Sequence, residues 1–307
     1  MYSDIIRTDE YKHRLLSFIK SEYGIDSATI TPAKRGFYGE TWRLESADTR
    51  YFVKIVYATE HQDIYKRSFP VIRHLCDHGI GFISRIIKTK DGNFSKQFDS
   101  AILGVFDWID GELIETDATK IPEYQMLAKI YTVPVHGVSI HCEDFSARST
   151  DRVFEQWCAL KDKKVISLLE KSRSKIEHRA KRLKLFAERC KDDTTNFFIT
   201  HGDAGGNLIV NGDNYFIVDW DYALLAPPER DAWVMCCKNW AMDAFHEALR
   251  HNGIQHTLRP ERLAYYCYNY FFFYLAAFLD ASSNADTIEQ YINGWIEESF
   301  RFADGIP

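Results

Sequence analysis

From Thr8 to Tyr23 the apolar positions Tyr11, Leu15, Phe18 and Ile19 recur at helical spacing, and Gly24 follows where a left-handed cap ends a helix. The chain is therefore expected to open with a helix. Runs rich in β-branched and aromatic residues come next (ATITPAKRG, ETWRLES and RYFVKIVYA), divided by Gly36, Gly39 and the polar SADT. They read as antiparallel strands joined by tight turns. A helical pattern over residues 61 to 77 stops at Gly79, after which SRIIKTKDGNF and SAILGVFDWIDG complete the sheet, with Asp91-Gly92 as a hairpin signal. Beyond this point the pattern is mostly helical, broken by the short strands FFIT, LIVN and YFIVDW. Residues 161 to 191 are basic but keep Val165, Leu168, Leu169, Ile176, Leu183 and Phe186 at helical spacing, which predicts a solvated helix pair. YYCYNYFFFYLAAFLD, apolar on all sides, predicts a buried helix. The fold class is thus α+β, with a small antiparallel sheet carrying one helix in residues 1–109 and a larger, mostly helical part in residues 110–307.

Composition narrows the partners. At 307 residues with 46% hydrophobic content, the chain is long enough to bury the cores of two lobes. A formal net charge of -6 gives no basic footprint for nucleic acid, and no apolar run approaches a membrane span, so neither is expected as a partner. The opening residues lack a basic segment followed by an apolar stretch and a cleavage site, which predicts a cytoplasmic protein. Seven scattered cysteines without a CxxC read as reduced thiols, not disulfides or a zinc site.

The stretch THGDAGGNLIV, residues 200 to 210, sets a lone carboxylate in a glycine-rich loop. A turn with a capping aspartate accounts for these residue types taken alone. The adjoining residues add chemistry: the chain turns at Asn211-Gly212 and returns as YFIVDWDYALLAPPERDAW, so Asp219 stands one hairpin away from Asp203 and Asn207. Two carboxylates and an amide oxygen at one loop edge are hard oxygen donors of the kind Mg²⁺ takes, with substrate phosphates supplying the rest.

HGDAGGN followed by IVDWD resembles the catalytic and metal-binding segments of the aminoglycoside phosphotransferase family, which has the bilobal protein-kinase fold. The continuation LLAPPERDAW resembles its spectinomycin phosphotransferase branch. The resemblance implies an enzyme that uses ATP and Mg²⁺ to phosphorylate a hydroxyl of a small molecule, an aminoglycoside or spectinomycin-type antibiotic being the family's acceptor. Carried across residue by residue, Lys54 in YFVKIVY would pair with the α- and β-phosphates of ATP, and Gly36 and Gly39 would belong to the loop covering the nucleotide. FDWIDGE would be the hinge, with the Asp107 carbonyl and the Ile109 N–H meeting adenine. Asp203 would accept the proton of the attacking hydroxyl, and Asn207 and Asp219 would hold Mg²⁺. His201, Arg230 and Asp231 are read as braces of the loop, and Glu60 or Asp63 as the carboxylate partner of Lys54. The interval from Asp203 to Asn207 is one residue shorter than is usual in kinases, and Gly205 and Gly206 are expected to compensate through backbone freedom, including positive φ. Asp221 and Glu229 beside the site, with Glu289, Glu297 and Glu298 on the last helix, suggest a cationic acceptor. Kinases of choline, homoserine or sugar type, and a nucleotide-binding pseudokinase without turnover, are the alternative readings.

Overall fold

The computed structural model describes residues 8–33, 39–281 and 283–307. In chain order the first elements are α1 (Asp9–Tyr23), β1 (Ser27–Pro32), β2 (Gly39–Ser46), β3 (Arg50–Val56), α2 (Thr59–Asp77), β4 (Ile86–Ile87), β5 (Lys96–Phe98), β6 (Ala101–Asp107) and β7 (Glu112–Leu113). A 3-10 turn at Asp117–Thr119 leads into α3 (Lys120–Ile130), α4 (Arg148–Ala159), α5 (Lys163–Lys171) and α6 (Arg173–Cys190). The remainder is β8 (Phe198–Thr200), β9 (Leu208–Asn211), β10 (Asn214–Ile217), β11 (Leu224–Ala226), α7 (Glu229–Ala232), α8 (Asn239–His251), α9 (Pro260–Asp280), α10 (Ala285–Gly294) and α11 (Glu297–Asp304). They form two compact units. One takes the chain up to Met126 together with Val133–His141 and His201–Leu224; the other takes Leu127–Thr132, Cys142–Thr200 and Leu225–Pro307.

In the first unit a six-stranded antiparallel sheet runs β1-β2-β3-β6-β4, with β5 also paired to β6. Alternation along β3 gives its two faces different work. Val53 and Ile55 pack with Trp42, Leu44, Leu103 and Val105 against Leu15 and Ile19 of α1. Lys54, one step out of phase, therefore belongs to the opposite face, where α2 supplies Tyr65 and Phe69. Local signals fix α1: the Thr8 side chain accepts from the Tyr11 N–H at its start, and Gly24 takes φ 72 at its end. At Asp91-Gly92 the structure corrects the sequence. The turn is there, with Gly92 at φ 84, but the strands on either side do not pair with each other; β4 and β5 both lie along β6. Helix α2 begins two residues ahead of the expected start and runs through Pro70.

The same unit contains the hairpin β9–β10, turned at Asn211 to Asn214. Strand β7 pairs with β9, and the Ile114 N–H extends the pairing to the Leu208 carbonyl. Gly111 makes this approach possible, because a Cβ there would lie 2.4 Å from the Val210 carbonyl oxygen and its φ is 136. In the second unit α4, α6 and α11 pack around α9, whose Tyr265, Tyr266, Tyr268, Phe271 and Phe272 are all buried. The acidic end of the chain forms two helices, not one: Ile296, at φ 44, separates α10 with Glu289 from α11 with Glu297 and Glu298. Among the described residues no helix is long and apolar enough to cross a membrane.

Candidate active site

The loop from His201 to Asn207 links β8 to β9, and its backbone is held from both ends. The Asp203 N–H donates to His201 Nδ1 at 3.1 Å, which leaves the ring proton on Nε2; that nitrogen lies 2.9 Å from the Val218 carbonyl and donates to it. His201 is fully buried, with the Trp220 ring edge-on at a centroid distance of 4.6 Å. One imidazole thus ties the loop carrying Asp203 to the residue just before Asp219. On the other side of the hairpin the Val218 N–H donates to the Asn207 carbonyl at 3.0 Å, so Asn207 and Asp219 emerge at the same end of β9–β10. Immediately before the loop, Arg230 donates to Thr200 Oγ1 at 3.0 Å, while Asp231 accepts from the Tyr131 hydroxyl at 2.8 Å.

Asp203 is exposed. Asn207 turns its amide nitrogen toward it, donating to the Asp203 carbonyl at 2.7 Å and to its carboxylate at 3.2 Å, which leaves the Asn207 amide oxygen directed away from Asp203. Asp219 takes φ 62, a left-handed conformation that Asp tolerates better than most residues. Its carboxylate lies 2.7 Å from Lys54 Nζ, and that of Asp221 lies 2.7 Å from the same ammonium. These two acids are the partners of Lys54. Glu60 and Asp63, the partners expected from sequence, are not: Glu60 is exposed at the start of α2, and Asp63 faces Lys66 at 3.9 Å. Burial works against the charge on Lys54, but the two carboxylates outweigh it and hold the ammonium above its ordinary pKa. Asp219 is held below the usual carboxylate range because Lys54 outweighs its desolvation. Burial and the neighbouring Asp219 push Asp221 up to about 6 against the pull of Lys54. Trp220 between them is buried, and both acids of the D-x-D reach the same ammonium.

The glycines act differently from expectation. Positive φ in the loop falls on Gly202, at 85, and on neither Gly205 nor Gly206. The Asn207 N–H donates to the Ala204 carbonyl, so Gly205 and Gly206 form the corner of a tight turn with ordinary φ. Gly205 is tight for another reason: a Cβ there would lie 2.8 Å from Lys120 Nζ and 3.1 Å from Glu115 Oε1, so those side-chain ends would have to shift, whereas one on Gly206 would meet nothing within 4 Å. Lys120 is buried and paired with the equally buried Glu123 at 3.0 Å. The i,i+3 spacing of the pair is legible in the sequence, but its burial is not. Gly205→Val is therefore expected to displace Lys120 and lower turnover about tenfold or more, because small displacements of reacting groups are costly. Gly206→Val is expected to change turnover far less, and equal effects of the two in steady-state assays would contradict this account.

Gly39 opens β2 opposite Val56, and a Cβ on it would overlap the Ile55 carbonyl at 1.9 Å, so close strand approach accounts for this glycine. Gly36 lies outside the described residues. At the end of β6 the Asp107 carbonyl accepts from Ser84 Oγ at 2.6 Å and keeps a second lone pair, while the Ile109 N–H makes no hydrogen bond among the described residues. Trp108 between them donates its N–H to the Arg50 carbonyl, and Arg50 grips the Asp110 carboxylate. Glu229, expected beside the site, is fully buried and accepts from the Arg259 N–H at 2.7 Å, with His256 at 3.0 Å. It is part of the packing of the second unit, not an exposed acid.

An antiparallel sheet with a half-buried lysine held between two aspartates, joined in one unit to a hairpin presenting aspartates and an asparagine, defines a phosphotransferase of α+β, protein-kinase-like architecture. The chain belongs to the phosphotransferase enzyme family, whose sequence profile matches residues 29–266. Enzymes of this family use ATP and a divalent metal to phosphorylate small molecules. Comparison with curated proteins gives no match. Among solved structures, spectinomycin phosphotransferase APH(9)-Ia, in complex with ADP and spectinomycin, is 20% identical with a TM-score of 0.75, over 94% of this chain and 98% of that one. The amicoumacin kinase hAmiN, in complex with AMP-PNP and Ca²⁺, is 12% identical with a TM-score of 0.65, over 98% and 95%. Choline kinase from Cryptosporidium parvum is 11% identical with a TM-score of 0.61, over 95% of each chain.

Proposed function

We propose that this phosphotransferase carries out transfer with Asp203, Lys54, Asn207 and Asp219, and that its acceptor is an antibiotic of spectinomycin or aminoglycoside type. The observation that carries the reading is Lys54 at 2.7 Å from each of Asp219 and Asp221, in the unit that also holds Asp203. A cation beside acidic oxygens is the arrangement that a metal–triphosphate complex engages, its phosphates meeting the lysine and its metal meeting the acids. The donor set fits Mg²⁺, being all oxygen: the carboxylate of Asp219, the amide oxygen of Asn207, and Asp221 close by. When bound, Mg²⁺ supplies neutralisation of charge on the phosphates. Lys54 holds the α- and β-phosphates. Asp203, exposed and braced through His201, accepts the proton of the acceptor hydroxyl and orients its oxygen. The Asp107 carbonyl and the Ile109 N–H receive adenine, with Gly36 and Gly39 in the covering segment. Residues 1–109 serve as the nucleotide lobe and 110–307 as the acceptor lobe.

A cationic acceptor is the finer reading. Glu115, more than half exposed beside Gly205, and the net charge of -6 support it; Glu229 no longer does. The enzyme works in the cytoplasm, where ATP and Mg²⁺ are abundant.

Two measurements test the reading. Lys54→Met is expected to weaken ATP about tenfold or more and adenosine little, because the ammonium meets only phosphates; equal weakening of both by equilibrium binding would refute the assignment. An acceptor screen following ADP release is expected to respond to spectinomycin or an aminoglycoside. Response to choline, homoserine or a sugar alone would replace the antibiotic by a metabolite, and no response with intact nucleotide binding would mark a pseudokinase.

A further inference from the structure

Lys54 lies directly opposite Gly104 in the β3–β6 register. The place of the missing side chain is filled from α2: a Cβ on Gly104 would stand 2.4 Å from the Tyr65 hydroxyl oxygen and 3.2 Å from the ring carbon that bears it. Tyr65 is 1% exposed, and its ring is fixed by an edge-on contact with Phe69 at 4.6 Å and by Phe106 at 6.4 Å. From that seat it meets Lys54 twice. Its hydroxyl donates to the Lys54 backbone carbonyl at 3.3 Å, and its ring lies 5.2 Å from the Lys54 ammonium. No acid of α2 reaches this lysine; the carboxylates on it come from the metal-loop side of the hairpin.

We propose that Tyr65 is the positioning residue for Lys54, and that α2 serves nucleotide binding through this aromatic face instead of an ion pair. The inference rests on the reading of Lys54 as the phosphate contact. An aromatic face attracts a cation without neutralising it. Lys54 therefore stays aimed by the ring while its full charge passes from Asp219 and Asp221 to incoming phosphates. A carboxylate on α2 would instead compete with those phosphates for the same ammonium. The glycine opposite Lys54 is part of the device, because any side chain at 104 pushes the tyrosine off its seat.

The test compares Tyr65→Leu, Tyr65→Phe, Gly104→Ala and the double variant Glu60→Ala/Asp63→Ala with the parent, in ATP and adenosine binding and in steady-state kinetics. Tyr65→Leu is expected to raise the KM for ATP roughly three- to thirtyfold, the range of a partly desolvated cation–π contact, with adenosine affinity within about twofold. Tyr65→Phe keeps the ring and is expected to recover most of that loss. Gly104→Ala should resemble Tyr65→Leu and carries the test if the leucine variant does not fold. The double acid variant is expected to keep the parent KM. Parent-like ATP affinity in both Tyr65→Leu and Gly104→Ala, equal weakening of ATP and adenosine, or a raised KM in the double acid variant would each overturn the proposal. Lys54→Met separates the two levels: if it loses ATP affinity while the Tyr65 variants do not, only the tyrosine's role falls; if it binds ATP as the parent does, the phosphate reading falls and takes this inference with it.

Discussion

Replacement of Asp203 by Ala or Asn is expected to lower phosphoryl transfer by about 10²-fold or more and to leave ATP binding near the parent value. The side chain is exposed, and the loop beneath it is held by the backbone N–H of Asp203 on His201 and by the Asn207 N–H on the Ala204 carbonyl, none of which the substitution removes. The Asn variant is the sharper of the two, because it preserves size and polarity and removes only the basic oxygen. Single-turnover assays alongside nucleotide binding check the result. Transfer within threefold of the parent in either variant would take Asp203 out of the role.

Asp219 is expected to give the second large effect, and on a different quantity. Asp219→Ala should weaken Mg²⁺-dependent nucleotide affinity about tenfold or more, since one of few charged oxygen ligands is gone and Lys54 keeps only Asp221 as a partner. Position 219 is left-handed, so Ala adds strain of its own; Asp219→Asn, tolerant of that conformation, separates lost charge from lost geometry. Asn207→Ala should raise the magnesium requirement in the same direction by a smaller factor, because it removes a neutral donor. Magnesium titrations that superimpose on the parent's for Asp219→Asn would contradict the assignment.

What the sequence made legible was local. Gly24 declares the end of α1 without help from the rest of the chain, and the β-branched and aromatic content of RYFVKIVY predicts its strand. The family resemblance and the order of elements were readable for the same reason, being carried by short contiguous motifs. Apart from the break of the last helix at Ile296, the errors concern contacts that only the fold sets. Asp91-Gly92 turns the chain, but β4 and β5 find β6 and not each other. The Lys54 partner was sought on the next helix and lies on Asp219 and Asp221, far along the chain. Glu229 looks like a surface acid until Arg259 and His256 are folded onto it. Gly205 looks like a residue chosen for its backbone freedom, whereas its φ is ordinary and Lys120 crowds the space beside it.

The hairpin β9–β10 completes a unit whose other strands precede it by a long stretch of chain, and this sets an order of events on the ribosome. By the time Asp107 has been made, all six strands of the first sheet exist, Lys54 among them. Strand β7 comes at once, yet its partner β9 is synthesised later by an interval on the order of ten seconds at ordinary elongation rates. Throughout that interval the nascent chain carries an ammonium without its two acids and a strand without its neighbour. A chain released before Asp219 would keep the whole sheet and still lack the acids that hold Lys54.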